Sequence, residues 1–317
     1  MMNLICVDSI EKLHDFGFSR IVVAIGVFDG VHSGHRKLLS ELMNLSAELN
    51  AEPVVVSFWP HPKSVLDPQN APPVLVSLER KKELFLEAGI KALVNIPFTK
   101  EFAALPPEKF MEDCLLSAKV KLCGVCVGAK WRFGANGVGD IALLWNFAEK
   151  HDFKLVPVEE FSIDGKVVSS TAVRAAIAQG DIETANRLLG RYYTLFGTVR
   201  HGQGIAGSVL GAPTANLELD SGIPPKFGVY AGIAGCDGKI FPAIAAIGLV
   251  PTFPGNRQIK VEVHLLDETA FSLYDKRLFF ELHHFIREER RFDSADELKK
   301  QIVQDILDAK KILREEI

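Results

Sequence analysis

The sequence predicts an α/β domain built on a parallel sheet, followed by a small antiparallel β-barrel domain that ends in one helix. Three observations carry this expectation. Over residues 1–189 short apolar runs alternate with amphipathic helical segments, the pattern of a sheet covered by crossover helices. From Tyr192 onward the runs are strand-like and separated by turn residues, with no long helix between them. The closing stretch "SADELKKQIVQDILDAKKILREE" has helical spacing throughout. The 317-residue chain is long enough for two domains with separate cores, expected at 1–189 and 190–317.

The elements follow in order. "RIVVAIG" reads as a strand, and "GHRKLLSELMNLSAELN" as a helix with Leu38, Leu39, Leu42, Met43 and Leu45 on one side. "AEPVVVSFW" is the next strand, and "SLERKKELFLEAG" a helix stopped by Gly89. "KALVNIPF" is a third strand, and "PPEKFMEDCLLSA" a helix opened by prolines. "VKLCGVCVG", the helix "GDIALLWNFAEKHD" and the strand "FKLVPVEEF" complete the parallel sheet, and "STAVRAAIAQGDIETANRLLG" reads as two short helices. The later strands are "YYTLFGTVRHG", "FGVYAGIAGC", "KIFPAIAAIG", "IKVEVHLLD" and "KRLFFELHHFI". In the last helix Ser294 and Glu297 match a capping box, and Leu298, Ile302, Ile306 and Ile312 form its apolar stripe.

Composition narrows the class. Hydrophobic residues make up 48% and charged residues 24%, ordinary for a globular protein, and the net charge of -4 disfavours a nucleic-acid partner. Asp8, Glu11, Lys12 and Asp15 interrupt the first segment, and no uncharged apolar run is long enough to span a bilayer. A cytoplasmic location is expected; self-association is left open. Cys6, Cys114, Cys123, Cys126 and Cys236 are an odd set, which suggests free thiols. Cys123 and Cys126 form a CxxC pair inside an apolar strand with no second pair to complete a zinc site, so they read as buried side chains.

The first chemical signal is "GVFDGVHSGH", residues 26–35. It joins a parallel strand to a helix, at the sheet edge where such folds bind ligands. Gly26, Gly30 and Gly34 let the backbone approach a phosphate, and the helix start offers N–H groups to an anion. His32 and His35 can both face one ligand, donating to phosphate oxygens. Asp29 fits a polar ligand contact or a turn former. Further on, "SSTAVR" places Ser169, Ser170 and Thr171 at a helix start with Arg174 one turn inside. Plain N-capping accounts for the hydroxyls, whereas the arginine favours a polyphosphate site.

On these residues the chain resembles the prokaryotic bifunctional riboflavin kinase/FAD synthetases. G-x-F-D-G-x-H-x-G-H, including Phe28, matches the family's first signature. "FWPHP" resembles its F-x-P-H-P, bringing His61 toward the nucleotide site, and "VGAKWRFG" resembles its G-x-D-F-R-F-G, bringing in Arg132. "VVSSTAVR" resembles its I-S-S-T-x-I-R. The resemblance implies a Rossmann-like nucleotidyltransferase domain and the reaction of FMN with ATP to give FAD and pyrophosphate. His32, His35, Arg174 and Mg²⁺ would neutralise charge there. Lys130 departs from the family's Asp or Asn, so the contacts of that position do not carry over.

In the second half "HGQGIAGSVLGAPTANLEL" holds Gly202, Gly207 and Gly211 in a loop suited to covering ATP phosphates. "GAPTAN" resembles the family's kinase signature, which implies Mg²⁺ at Thr214 and Asn216. "IKVEVHLLD" resembles the strand carrying its base, here Glu262, for the riboflavin 5′-hydroxyl. "FIREERRF" resembles L-R-x-E-x-x-F and assigns Arg287 to the ligand; a solvated charge run is the alternative. Ala212, Ile205, Ser208, Ala246 and Val250 depart from the family pattern. Two functions are therefore expected, riboflavin to FMN and FMN to FAD. The alternatives are a monofunctional FAD synthetase with a degenerate barrel and a non-catalytic flavin-binding protein.

Overall fold

In a computed structural model of the chain, residues 4–200, 214–253, 256–266 and 273–314 are described. The chain forms two compact units, 1–168 and 169–317.

The first unit holds β1 (Ile5–Val7), β2 (Arg20–Ile25), β3 (Glu52–Trp59), β4 (Ala92–Pro97), β5 (Lys121–Gly128) and β6 (Lys154–Val158). They form one sheet in the order β1-β4-β3-β2-β5-β6, and every neighbouring pair is parallel. Parallel strands are covered on both faces, so they read as continuous apolar runs rather than alternating ones. Alternate side chains of each strand go to opposite cores. Val23, Ile25, Val54, Val56 and Val125 pack on one side with Leu144 and Phe147. Val22, Ala24 and Val55 pack on the other with Leu39, Leu42, Leu84 and Phe85.

The helices of this unit are α1 (Ser33–Leu49), α2 (Pro62–Leu66), α3 (Leu78–Glu87), α4 (Lys100–Ala103), α5 (Pro107–Phe110) and α6 (Ile141–His151). Side chains cap several of them: Ser77 accepts from Arg80 N before α3, and Asp140 from Leu143 N before α6. The helix expected over "PPEKFMEDCLLSA" is short: after α5 the chain widens into a π turn, Met111–Leu115, that buries Met111 and Leu115. Cys123 and Cys126 are free and buried, as the apolar strand implied. Burial pushes the Cys126 thiol up to about 12, so it stays protonated.

A two-stranded hairpin, β7 (Ser162–Ile163) and β8 (Lys166–Val167), closes the first unit. The second unit starts with α7 (Ser170–Gln179) and α8 (Ile182–Leu189). Then come β9 (Tyr193–Arg200), β10 (Thr214–Ser221), β11 (Gly228–Cys236), β12 (Lys239–Phe253), β13 (Asn256–Leu265) and β14 (Arg277–Glu288). They close into an antiparallel barrel in the order β10-β13-β12-β11-β14-β9. β10 is a strand hidden in "PTANLEL". The last helix, α9 (Ala295–Arg314), packs outside β11 and β12.

The two helices before the barrel belong to it in space. The Asn186 amide donates to Leu282 O at 2.8 Å and accepts from Tyr193 N at 2.7 Å. Lys226 N donates to Ile177 O at 3.2 Å. The units therefore divide at 168/169, ahead of the 189/190 boundary that the change of pattern suggested. Among the described residues, no helix is long and apolar enough to cross a membrane.

Candidate functional site

β2 is the pivot of the first unit. The chain leaves it to lay β3 and β4 on one side, then crosses to place β5 on the other. Strand order thus reverses at β2/β5, and the crevice outside their carboxyl ends is where open α/β sheets bind ligands. "GVFDGVHSGH" fills this place. Its backbone is tightly folded, with φ of 52° at Phe28, 81° at Gly30 and 40° at Val31. The positive φ at position 30 favours glycine, and a Cβ there would stand 2.7 Å from Leu75 Cδ1, so that side chain would have to shift.

The loop is held from several directions. Asp29, 4% exposed, accepts from Leu75 N at 2.9 Å. The Val27 carbonyl accepts from Ser57 Oγ at 3.2 Å and from Lys81 Nζ at 2.9 Å. His32 caps α1 through Nδ1, which accepts from His35 N at 3.3 Å. That bond makes Nδ1 the acceptor and leaves the ring proton on Nε2, a donor suited to a phosphate oxygen. The His32 and His35 rings stack at 3.7 Å with 15° between planes, and Phe28 lies 5.2 Å from His35. The structure therefore brings Gly26, Phe28, Asp29, Gly30, His32, Gly34 and His35 together at one helix start.

Other expected residues of this unit sit differently. His61 caps α2, its Nδ1 accepting from Lys63 N at 3.1 Å. Lys130 is exposed and ion-paired with Glu160 at 2.7 Å, while Arg132 lies 3.5 Å from Asp140. Both cations alternate with the ring pair Trp131 and Phe133, stacked at 4.8 Å. Exposed pairs of this kind are worth little, so both remain available to a polyanion. In the second unit, Ser169 caps α7 by accepting from Ala172 N at 3.2 Å, the simple capping role. Ser170 and Thr171 lie in the first turn and Arg174 in the second.

The barrel carries a second candidate site on its outer face. In the register of β10, β13 and β12, Asn216 pairs with Glu262 and Glu262 with Ala246, while Thr214 pairs with His264. Directly paired residues share a face, so these side chains form two adjacent rows. The alternate residues Ala215, Val263 and Ala245 fill the barrel core. A cavity of about 380 Å³ opens over this face, walled by Thr214, Lys260, Glu262, His264, Arg287 and Phe292 among others.

Thr214 Oγ1 and Glu262 Oε1 are buried without a hydrogen-bond partner. Lys260 Nζ forms an ion pair with Glu262 Oε1 at 2.6 Å. The unpartnered Thr214 hydroxyl oxygen, in the row beside the Asn216 amide, is of the oxygen chemistry a hard cation takes. Among the described residues no cluster of His, Cys, Asp and Glu forms a metal site. Arg287 lines the cavity, but its guanidinium is engaged: Nε and Nη2 lie 2.8 and 2.7 Å from the two oxygens of Asp305, itself 2% exposed. Gln301 also donates to Asp305. The stripe of α9 is accordingly centred on Asp305, Ala309 and Leu313, with Leu298, Ile302, Ile306 and Ile312 at its margins. Gly202, Gly207 and Gly211, with Ile205, Ser208 and Ala212, lie outside the described residues, as does the Val250 side chain.

Sequence reading missed Lys81, 3% exposed, and Asp305. Lys81 carried a signal: it precedes Leu84 and Phe85 by three and four residues, which puts it on the apolar face of α3.

Fold and sites together define a two-unit nucleotide-dependent transferase. The FAD synthetase family profile matches residues 17–172, and the riboflavin kinase profile matches 189–313. The "Bifunctional riboflavin kinase/FMN adenylyltransferase" of Escherichia coli K12 is 39% identical over 290 residues, covering 91% of each chain. Its counterpart in Pseudomonas fluorescens is 37% identical over 289 residues, covering 91% of this chain and 92% of that one. The chain belongs to the bifunctional riboflavin kinase/FMN adenylyltransferase family. A crystal structure titled as a macrolide-efflux protein from Streptococcus pneumoniae also matches, with TM-score 0.83 and 26% identity over 96% of this chain and 97% of that one.

Proposed function

We propose that the chain converts riboflavin to FMN in its barrel unit and FMN to FAD in its parallel-sheet unit, each step using ATP. The observation that supports this best is the pairing of both family profiles with two separate polar sites, one in each unit. In the first step the riboflavin 5′-hydroxyl attacks the γ-phosphorus of ATP, ADP leaves, and Glu262 accepts the hydroxyl proton. In the second, an FMN phosphate oxygen attacks the α-phosphorus of ATP and pyrophosphate leaves. Phosphate is already a competent nucleophile, so alignment and charge neutralisation dominate. His32 Nε2, His35 and the α1 start donate to the polyphosphate. Ser170, Thr171 and Arg174 are assigned to phosphate on the strength of their motif, and His61 and Arg132 to the flavin or its phosphate.

Thr214 and Asn216 would hold Mg²⁺ in the barrel; bound there, the ion neutralises charge on the transferred phosphate. Arg287, being paired with Asp305, shapes the cavity wall rather than clasping a phosphate. We place the enzyme in the cytoplasm, where its five free cysteines stay reduced, with small molecules rather than nucleic acid as partners. The test is to supply Mg-ATP with riboflavin or with FMN and to resolve the flavins by chromatography. FMN and FAD should form from riboflavin, and FAD from FMN. FAD from FMN with no product from riboflavin would leave a monofunctional adenylyltransferase; no FAD from FMN would refute the assignment.

A further inference from the structure

A lysine buried to 3% exposure is an expensive choice for a helix face that otherwise buries Leu84 and Phe85. Taking an ammonium out of water costs stability unless something compensates. Burial indeed pulls Lys81 down to about 8, with Asp29 opposing the shift. Its surroundings explain what it holds. The ammonium donates to Val27 O at 2.9 Å and lies 5.6 Å from the centre of the Trp59 ring. The β2–α1 loop faces it with Asp29, and β3 with Trp59. On its own helix, Arg80 is bound to Glu83 and Glu87 at 2.7 and 2.9 Å, a separate ion-pair group.

Val27 and Asp29 flank Phe28, the first of the positive-φ residues in the loop that ends at His32. Asp29 is also a buried carboxyl in the loop expected to receive a polyanion. Without a cation beside it, that carboxylate would repel the phosphates the loop must accept.

We propose that Lys81 is a positioning residue for adenylyl transfer, its ammonium pinning the Val27 carbonyl and offsetting Asp29 so that the β2–α1 loop accepts the triphosphate of ATP. It acts through the loop rather than by touching substrate, and the inference rests on the adenylyl-transfer reading of this site.

The test is full-length Lys81→Met beside Lys81→Arg, each assayed for FMN adenylylation, riboflavin phosphorylation and melting temperature. Lys81→Met should lower kcat/KM for adenylylation at least tenfold, mostly as a higher KM for ATP. Riboflavin phosphorylation should stay within twofold, and the melting temperature should be unchanged or raised. Lys81→Arg should recover part of the loss. In the native enzyme KM for ATP in adenylylation should climb above pH 8, as Lys81 loses its charge, and this rise should be absent from Lys81→Met.

Adenylylation by Lys81→Met within twofold of native would overturn the proposal. So would loss of both activities with a lowered melting temperature or failure to fold, because Lys81 would then be holding the fold. Native protein that makes no FAD from FMN would instead refute the underlying functional reading.

Discussion

Removing the carboxylate of Asp305 probes how the barrel cavity is built. Asp305 is 2% exposed and receives both Nε and Nη2 of Arg287, whose side chain is 20% exposed, together with the amide of Gln301. Asp305→Ala leaves a guanidinium largely out of water without its counter-charge. Breaking a buried pair in this way costs about 3–5 kcal/mol. Arg287 retains some solvent, so the lower end, about 3 kcal/mol, is expected. For a unit of this size each kcal/mol lowers the midpoint by about 2–4 °C, so calorimetry should show a fall of roughly 6–12 °C. Combining Asp305→Ala with Arg287→Met should restore much of the loss, because the stranded charge goes too. The KM of the kinase reaction should rise in the single variant, since α9 and β14 wall the cavity. A single variant melting within about 2 °C of native would refute this account of the Arg287–Asp305 pair.

Other outcomes follow from the same geometry. Gly30→Ala forces a Cβ onto a backbone at φ 81° and to 2.7 Å from Leu75 Cδ1. Backbone strain should cost about 1–2 kcal/mol, measured by denaturant unfolding, with adenylylation impaired and the kinase spared. Lys81 loses a proton on folding between pH 8 and 10.5 that the unfolded chain keeps. Its contribution to stability is therefore fully present above about pH 10.5 and lost as pH falls to 8. The stability difference between Lys81→Met and native protein, in the variant's favour at pH 7, should narrow across that window in urea titrations. Chelating Mg²⁺ should abolish product formation in both assays, with activity restored on adding the ion back.

Much of the fold was legible because the parallel strands are continuous apolar runs and their helices carry their own caps. "RIVVAI" and "EPVVVSFW" can be buried strands because both faces are covered, and Ser77 and Asp140 announce the helices they start. β10 was not legible, because Thr214 and Asn216 drew attention as a motif and obscured the alternation with Ala215 and Leu217. The fastening of α7 and α8 to the barrel through Asn186 and Lys226 was not legible, because they look like the helices before them.

The histidines of the first site could be found because glycine spacing and helix start are local properties. The roles of Lys81, Asp305 and Arg287 could not, since each depends on a partner far along the chain: Val27, Arg287 and Asp305 in turn. Lys130 is the converse case. The motif shows its change of charge, and only the structure shows its exposed pairing with Glu160.

The central claim is that two independent sites share one chain, and two variants test it together. His35→Ala should abolish FAD formation from FMN while FMN still forms from riboflavin. Glu262→Ala should abolish FMN formation from riboflavin, while FAD still forms when FMN is supplied. Folded variants that each lose both reactions, or that each keep both, would contradict the account.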